Sequence, residues 1–297
     1  MNLLRELWQF SRTIRLAHSL FALPFALGAA WLAEPPHPEW RALALIVLCM
    51  VAARTAAMGM NRIADAPLDA RNPRTAHRAI PAGRLRRRTA LALTLASGGV
   101  FLVAAWGFRP LRQNAWPGLL APPILALLLA YPYAKRVTAL AHWLLGMCLG
   151  LAPVGAWLAL RGALTTPPLI IAAAVTFWTA GFDILYALQD EAFDRQAGLR
   201  SVPARLGPRG ARWVAIASHA VMLLLLAWLP LRQHAVTGLA FDASLGVVAI
   251  LALLVAAEHA AARFLRPQKL APLVFRLSAA MSILWAAGII LDVRATP

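Results

Sequence analysis

The reading of this chain turns on RALALIVLCMVAARTAAMGMNRIADAPLD, residues 41–69. Residues 41–61 are mostly apolar, and a helix of roughly 20 such residues crosses the hydrocarbon core of a bilayer. The run ends in three polar residues four apart, Asn61, Asp65 and Asp69. On a helix, positions i, i+4 and i+8 drift by only about 40° per step, so the three share one face. Pro67 is placed to break the helix before Asp69, which would leave that residue in a loop. The stretch therefore reads as a membrane helix that delivers carboxylates to one of its ends.

The rest of the chain agrees with a membrane setting. Of its 297 residues 61% are apolar and 14% charged, whereas a soluble domain carries about 45–50% apolar and about 25% charged residues. Spans are predicted near 16–33, 41–61, 89–107, 117–133, 138–160, 167–189, 211–230, 236–258 and 272–292, giving an all-α integral membrane protein with nine transmembrane helices. The long Leu/Ala runs lack the alternation of a membrane β-barrel. The first run is long enough to span and many more follow, which argues against a cleaved signal peptide.

The net charge of +17 comes from arginines in short blocks between apolar runs, not from a basic face with interleaved aromatics, so no nucleic-acid partner is expected. With the N-terminus inside, 22 of the 29 Lys and Arg fall on the cytoplasmic side and 6 on the outer side, with Arg54 inside the second span. That bias puts the N-terminus in the cytoplasm and the C-terminus outside. Cys49 and Cys148 both lie in apolar runs, so neither a disulfide framework nor a cysteine metal site is expected.

Only twelve carboxylates occur, and six lie in two stretches: Asp65 and Asp69 in the first, and Asp183, Asp190, Glu191 and Asp194 in the second. Tyr186, Asp190 and Asp194 repeat the i, i+4, i+8 spacing 125 residues downstream of the first set. Both sets follow an even-numbered span, after helices two and six. This suggests a duplicated four-helix unit, helices one to four over about 16–133 and helices five to eight over about 138–258, with a ninth over about 272–292. Ionisable groups at membrane depth are functional candidates. Two Asp-x-x-x-Asp pairs offer hard oxygen donors to Mg²⁺, which keeps several waters and bridges a few carboxylates to substrate phosphates. Arg71, Arg74 and Arg78 follow the first pair, and Arg195, Arg200 and Arg205 the second. Lys135 and Arg136 lie on the same membrane side. Cations beside acids make sense when a polyanion and its metal sit between them. Pairing of helix-end acids with nearby arginines is the plainer explanation for one such pair, but not for two matched ones.

These residues resemble the UbiA superfamily of membrane prenyltransferases. Asn61, Asp65 and Asp69 match its first motif, and Arg74-Thr-Ala-His-Arg78-Ala-Ile-Pro-Ala-Gly83 looks like the segment that follows. Tyr186, Asp190, Asp194 and Ser201-Val-Pro-Ala-Arg-Leu-Gly207 match the second motif, and Tyr131-Pro-Tyr-Ala-Lys-Arg136 resembles the loop after helix four. The resemblance covers the whole chain as one domain, 1–297, and implies a UbiA-like bundle around a central cavity. The likeness is strongest to 4-hydroxybenzoate polyprenyltransferases of ubiquinone biosynthesis. The phrasing Met60-Asn61-Arg62-Ile63-Ala64-Asp65 and Gly181-Phe182-Asp183-Ile184-Leu185-Tyr186 is similar to a branch linked to prenylation of 1,4-dihydroxy-6-naphthoate in a menaquinone route. It implies a polyprenyl diphosphate donor, an aromatic acid acceptor, and a site at the cytoplasmic face of the cell inner membrane.

On this reading Asp65, Asp69, Asp190 and Asp194 hold Mg²⁺, with Asn61 as a further ligand or orienting group. Lys135, Arg136, Arg74 and Arg78 bind the diphosphate. Asp183 either orients the phenol or accepts a proton; the alternative is a buried acid paired with an arginine. Tyr186 either bonds phosphate or acceptor or marks the membrane interface. An intramembrane arginine must face a cavity or a partner, so Arg54, or else Arg15, is the candidate for the acceptor's carboxylate. His18 is a weaker one. A transporter would show repeats and midplane charges instead, and an alcohol phosphotransferase would show an Asp-Gly-x-x-Ala-Arg pattern that is absent.

Overall fold

The computed structural model describes residues 3–14, 21–237 and 241–295, and every regular element among them is helical. The helices are α1 (Leu3–Ile14), α2 (Leu23–Ala33), α3 (Trp40–Arg71), α4 (Arg87–Trp106), α5 (Phe108–Arg112), α6 (Trp116–Ala130), α7 (Ala134–Val137), α8 (Ala141–Arg161), α9 (Thr166–Ala187), α10 (Glu191–Gln196), α11 (Val202–Thr237), α12 (Asp242–Phe264) and α13 (Pro267–Ala295). Eight stretches are long and apolar enough to cross a membrane. They begin at α3, α4, α6, α8, α9, α11, α12 and α13, and account for eight of the nine expected spans. Of the ninth, 16–33, residues 21–33 are described, and 11 of them form α2. Pro24 suits the first turn of α2, where its missing N–H has no partner to lose, and Pro35 and Pro36 follow its end.

Pro67 does not end its helix. It lies inside α3, which runs on to Arg71, so Asp69 stands in the last helical turn and not in a loop. The ring's fixed φ is itself compatible with a helix, and the loss is one ladder bond. The end is secured locally, because the Asp69 carbonyl accepts the Asn72 N–H at 3.3 Å and the Thr75 hydroxyl at 3.3 Å.

Internal contacts divide the chain into two compact units, the described residues of 1–19 with 44–134, and of 20–43 with 135–297. In the first unit Phe10 and Ile14 of α1 pack with Ile63 of α3, Ala79, Leu85 and Ala90. Glu6, buried on the same face of α1, meets Arg86 at 3.4 Å. Deeper along α3, Ala52 packs with Phe101 and Ala105 of α4 and Ala121 of α6.

In the second unit α8 and α9 pack most intimately. A Cβ built on Gly146 would stand 2.3 Å from the Thr176 carbonyl oxygen, and one on Gly150 would stand 2.6 Å from that of Ala172. The two glycines and their two partners are each four residues apart, so one small-residue stripe lets the backbones touch. Lipid offers no hydrophobic drive for helix pairing, and close van der Waals contact of this kind replaces it. Phe21 and Phe25 pack their rings, tilted, against Trp178 of α9, and Phe25 also against Trp285 of α13. Asp292, in the last turns of α13, accepts the N–H groups of Ala243 and Ser244 at 2.9 and 2.8 Å, closing the open N-terminus of α12. Replacing Gly146 by Leu should force α8 off α9 and cost about 1–3 kcal/mol or more, as overpacking does. Thermal unfolding in detergent measures this, and Gly155→Leu, whose Cβ would meet nothing within 4 Å, serves as the near-neutral control.

Candidate active site

The first acidic stretch occupies the last turns of α3. Asn61 is half-buried, and Asp65 and Asp69 are 5% and 6% exposed. Residues 72–86 then fold back in successive turns. The Asn72 side-chain oxygen takes the Arg74 N–H at 3.0 Å, an Asx turn, and the Asn72 carbonyl takes the N–H groups of Thr75 and Ala76 at 2.9 Å each. The Thr75 carbonyl takes the Arg78 N–H at 2.9 Å. This winding brings the Arg78 Nη1 to 2.8 Å from both carboxylate oxygens of Asp69. The Arg-Thr-Ala-His-Arg segment is thus fastened to the end of α3, with Arg74 half-buried beside it.

Arg62 is a member of this cluster that the spacing did not single out. Its guanidinium lies within electrostatic reach of Arg78, Asp69, Asp65 and Tyr131. A filter for residues four apart passes over it, because it sits one position off the Asn61 row. Arg54, two turns deeper, donates from Nη1 to the Ile14 carbonyl at 3.2 Å and also lies within reach of Tyr131. The deep arginine expected to face a partner therefore has polar company within its own unit. Arg15 and His18 lie outside the described residues.

The second stretch departs from one continuous helix. After α9 the backbone tightens into a 3₁₀ turn over Leu188–Asp190 and restarts as α10. The even drift expected for Tyr186, Asp190 and Asp194 on a regular helix does not hold through that turn, since a 3₁₀ segment has three residues per turn. Asp190 and Asp194 nonetheless stay close enough to act on each other's charge, and Lys135 and His142 act on Asp194 as well. Tyr186 is half-buried one turn before Asp190.

Downstream, Gly198 takes φ +70°, and the Leu199 N–H returns to the Asp194 carbonyl at 2.8 Å, the closing bond of a glycine-terminated helix. Ser201 caps α11: its hydroxyl oxygen accepts the Ala204 N–H at 3.3 Å and its side chain also hydrogen-bonds Asp194. Arg200 fastens this loop to α7. Its N–H donates to the Lys135 carbonyl at 2.8 Å, and its Nη1 to that of Val137 at 2.7 Å. The contact explains how Lys135, more than fifty residues upstream, comes to stand beside Asp194.

Asp183 pairs with a histidine and not with an arginine. His142 Nδ1 lies 2.7 Å from Asp183 Oδ2, and His142 Nε2 accepts the Val202 N–H at 3.3 Å. His142 was invisible to sequence reasoning, standing alone in an apolar segment 41 residues before its partner.

The donors fit a hard cation. Among the described residues no group of three or more His, Cys, Asp or Glu could hold a metal alone. Each unit instead supplies a pair of carboxylates, Asp65 with Asp69 and Asp190 with Asp194, with cations beside it. Few carboxylates, with water and phosphate oxygens completing the shell, is the donor set Mg²⁺ prefers.

The model of the UbiA prenyltransferase family matches residues 22–287. The 4-hydroxybenzoate octaprenyltransferase of Marinomonas sp. (strain MWYL1) is 31% identical over 232 residues, 78% of this chain and 80% of the relative. That of Tolumonas auensis (strain DSM 9187 / NBRC 110442 / TA 4) is 30% identical over 224 residues, 75% and 77% of the two chains. Among solved structures, the apo UbiA homolog from Aeropyrum pernix K1 has a TM-score of 0.81 at 35% identity, over 94% of this chain and 98% of its own. A UbiA homolog from Archaeoglobus fulgidus, bound to DMAPP and Mg²⁺, shares the fold with a TM-score of 0.65 at 19% identity, over 95% and 99% of the two chains. The matched residues run through both aspartate stretches and the helices that carry them, and the chain is a multi-pass membrane protein that belongs to the UbiA prenyltransferase family.

Proposed function

We propose that this chain transfers a polyprenyl group from a polyprenyl diphosphate to 4-hydroxybenzoate, the prenylation step of ubiquinone biosynthesis, with Mg²⁺ as cofactor. The observation that carries the reading is the construction of each acidic pair. Both stand at the end of a membrane helix, and in both a basic segment is bonded into place beside them: Arg78 on Asp69, and Lys135 through Arg200. A transporter would place its charges near the middle of its spans. The acceptor follows from the curated relatives, which are 4-hydroxybenzoate octaprenyltransferases. The donor and metal draw support from the relatives' structures bound to DMAPP, GPP and Mg²⁺. The setting is the cell inner membrane, with the N-terminus and the aspartate loops in the cytoplasm, following the bias of Lys and Arg.

In this scheme Asp65, Asp69, Asp190 and Asp194 hold the metal, with Asn61 as a further polar ligand. When bound, Mg²⁺ neutralises charge on the diphosphate and makes it a better leaving group. Arg74, Arg78, Lys135 and Arg136 hold the diphosphate oxygens, and Tyr186 adds a hydroxyl. Charge developing on the departing oxygen is met by groups already in place. The allylic C–O bond breaks and its electron pair leaves with the diphosphate. The ring attacks the allylic carbon ortho to its hydroxyl, because the para position carries the carboxylate. Arg54 binds that carboxylate and so fixes which ring carbon faces the prenyl group. Apolar walls keep water from the cation.

Purified protein in detergent, given a long-chain prenyl diphosphate and 4-hydroxybenzoate, should form prenylated product with Mg²⁺ and none with a chelator. Product from 1,4-dihydroxy-6-naphthoate alone would instead assign the menaquinone acceptor, and absence of metal-dependent diphosphate binding by folded protein would overturn the site. Asp65→Asn and Asp190→Asn should each lower kcat by about 10²-fold or more, the scale for losing a transition-state charge contact. Arg54→Leu should raise KM for the aromatic acid by about tenfold or more while leaving KM for the prenyl diphosphate unchanged, as loss of one charged contact to a ligand would.

A further inference from the structure

His142 stands in the first turn of α8, 5% exposed, with both ring nitrogens committed. The Val202 amide can only donate, so the Nε2 it contacts at 3.3 Å must accept. The ring proton of a neutral imidazole is then on Nδ1, which donates to Asp183 Oδ2 at 2.7 Å. One backbone N–H thereby sets the tautomer, and the tautomer dictates that Asp183 is addressed as an acceptor. The pair is asymmetric: the side chain of His142 is 6% exposed and that of Asp183 27%. The accessible end of the pair is the carboxylate, and the buried end is its holder. The same stretch of chain, Ser201–Val202, holds Asp194 through the Ser201 side chain and His142 through the Val202 amide. Asp183 is thus tied, through one imidazole, to the chain segment that follows the second acidic pair and holds Asp194.

We infer that His142 is a positioning residue that aims the Asp183 carboxylate to take the proton released from the aromatic acceptor. The inference rests on the aromatic prenyl transfer proposed above. In that reaction a C–C bond forms between the ring and the allylic carbon while the C–O bond to diphosphate breaks. The ring carbon then carries both the prenyl group and its original hydrogen. Breaking that C–H bond returns the electron pair to the ring, and the proton passes to the Asp183 oxygen not engaged by His142. The carboxyl group gives the proton to water after product leaves. Charge and atoms balance with no further reactant: prenyl diphosphate and phenol give prenyl phenol, diphosphate and a proton. A carboxylate held in one orientation serves this transfer better than one free to rotate.

The two ring nitrogens can be tested apart. In place of His142, Asn puts its amide N–H near the Nδ1 position and Gln puts its amide near the Nε2 position. If the role is to aim Asp183, His142→Asn should keep most of kcat, whereas His142→Gln should lose about 10²-fold, the lower end of what a placed proton acceptor contributes. A role limited to capping Val202 gives the opposite order, Gln active and Asn impaired, and overturns the inference. The loss should fall on kcat with KM for the prenyl diphosphate unchanged. Replacing the ring hydrogens ortho to the hydroxyl by deuterium supplies a readout that packing does not move. Slower proton removal in His142→Gln should bring out a primary isotope effect larger than that of the wild type, and an unchanged isotope effect overturns the inference. Should His142→Gln fail to fold, Asp183→Glu, which keeps the carboxylate but displaces it, carries the same isotope comparison. All assays use full-length protein with Mg²⁺. Wild type that turns over no aromatic acid defeats the proposed reaction itself. Wild type that turns over normally beside a fully active His142→Gln defeats only the role given to the histidine.

Discussion

Carboxylates at membrane depth must be compensated, and the structure is organised around that constraint. A charge moved from water toward hydrocarbon loses solvation that only partners can replace. Asp69 is met by Arg78, Asp183 by His142, Asp194 by Ser201, Glu6 by Arg86, and Asp292 by the open amides of α12. Each partner comes from a different helix or from a loop that must fold back to reach it. These five acids therefore specify tertiary structure as well as chemistry, since each is met by a partner that only folding delivers.

The loops after the two acidic stretches show how this works. Both are short on apolar residues and rich in turn-forming ones, and both end on a helix. In the first, Asn72 and Thr75 tie the chain to the end of α3, so that Arg78 reaches Asp69. In the second, Gly198 and Ser201 end one helix and begin the next, and Arg200 takes hold of the Lys135–Val137 segment. Arginine serves twice over in these loops, once as an anchor for backbone carbonyls and once as a cation. Its planar fork of donors allows both. The packing of α8 on α9 belongs to the same arrangement. His142 is one turn before Gly146, and Asp183 lies seven residues past Thr176. The close approach of the two helices at Gly146 helps bring the imidazole and the carboxylate within hydrogen-bonding distance.

The prenyl-transfer reading places opposite demands on one protein. Departure of a diphosphate needs charge and water-facing cations, whereas an allylic cation needs a dry wall. A membrane helix with acids at its end and apolar residues along its length meets both. The aromatic cluster of Phe21, Phe25, Trp178, Phe182 and Phe275 gathers at the C-terminal half of α9, where Phe182 directly precedes Asp183.

Much of this was legible in the amino-acid order. Hydropathy placed eight of the spans, because about 20 apolar residues in a row have few other uses. The repeated spacing of Asp65, Asp69, Asp190 and Asp194 marked the acids, because a helix converts a period of four into one face. What spacing could not show was partnership. Arg62 was hidden one residue off the acidic row, and His142 looked like a lone histidine in an apolar run. The helix was expected to stop at Pro67, yet it continues, since bonds made by Asn72 and Thr75 hold its last turn. The same limit applies to Asp183, for which an arginine was one alternative partner and a histidine was not considered. By itself the sequence determined the membrane setting, the helices and the acids, all of which depend on near neighbours along the chain. Only the tertiary structure decided which cation or imidazole meets which acid, because those partners are tens of residues apart and are brought together by helix packing and loop closure.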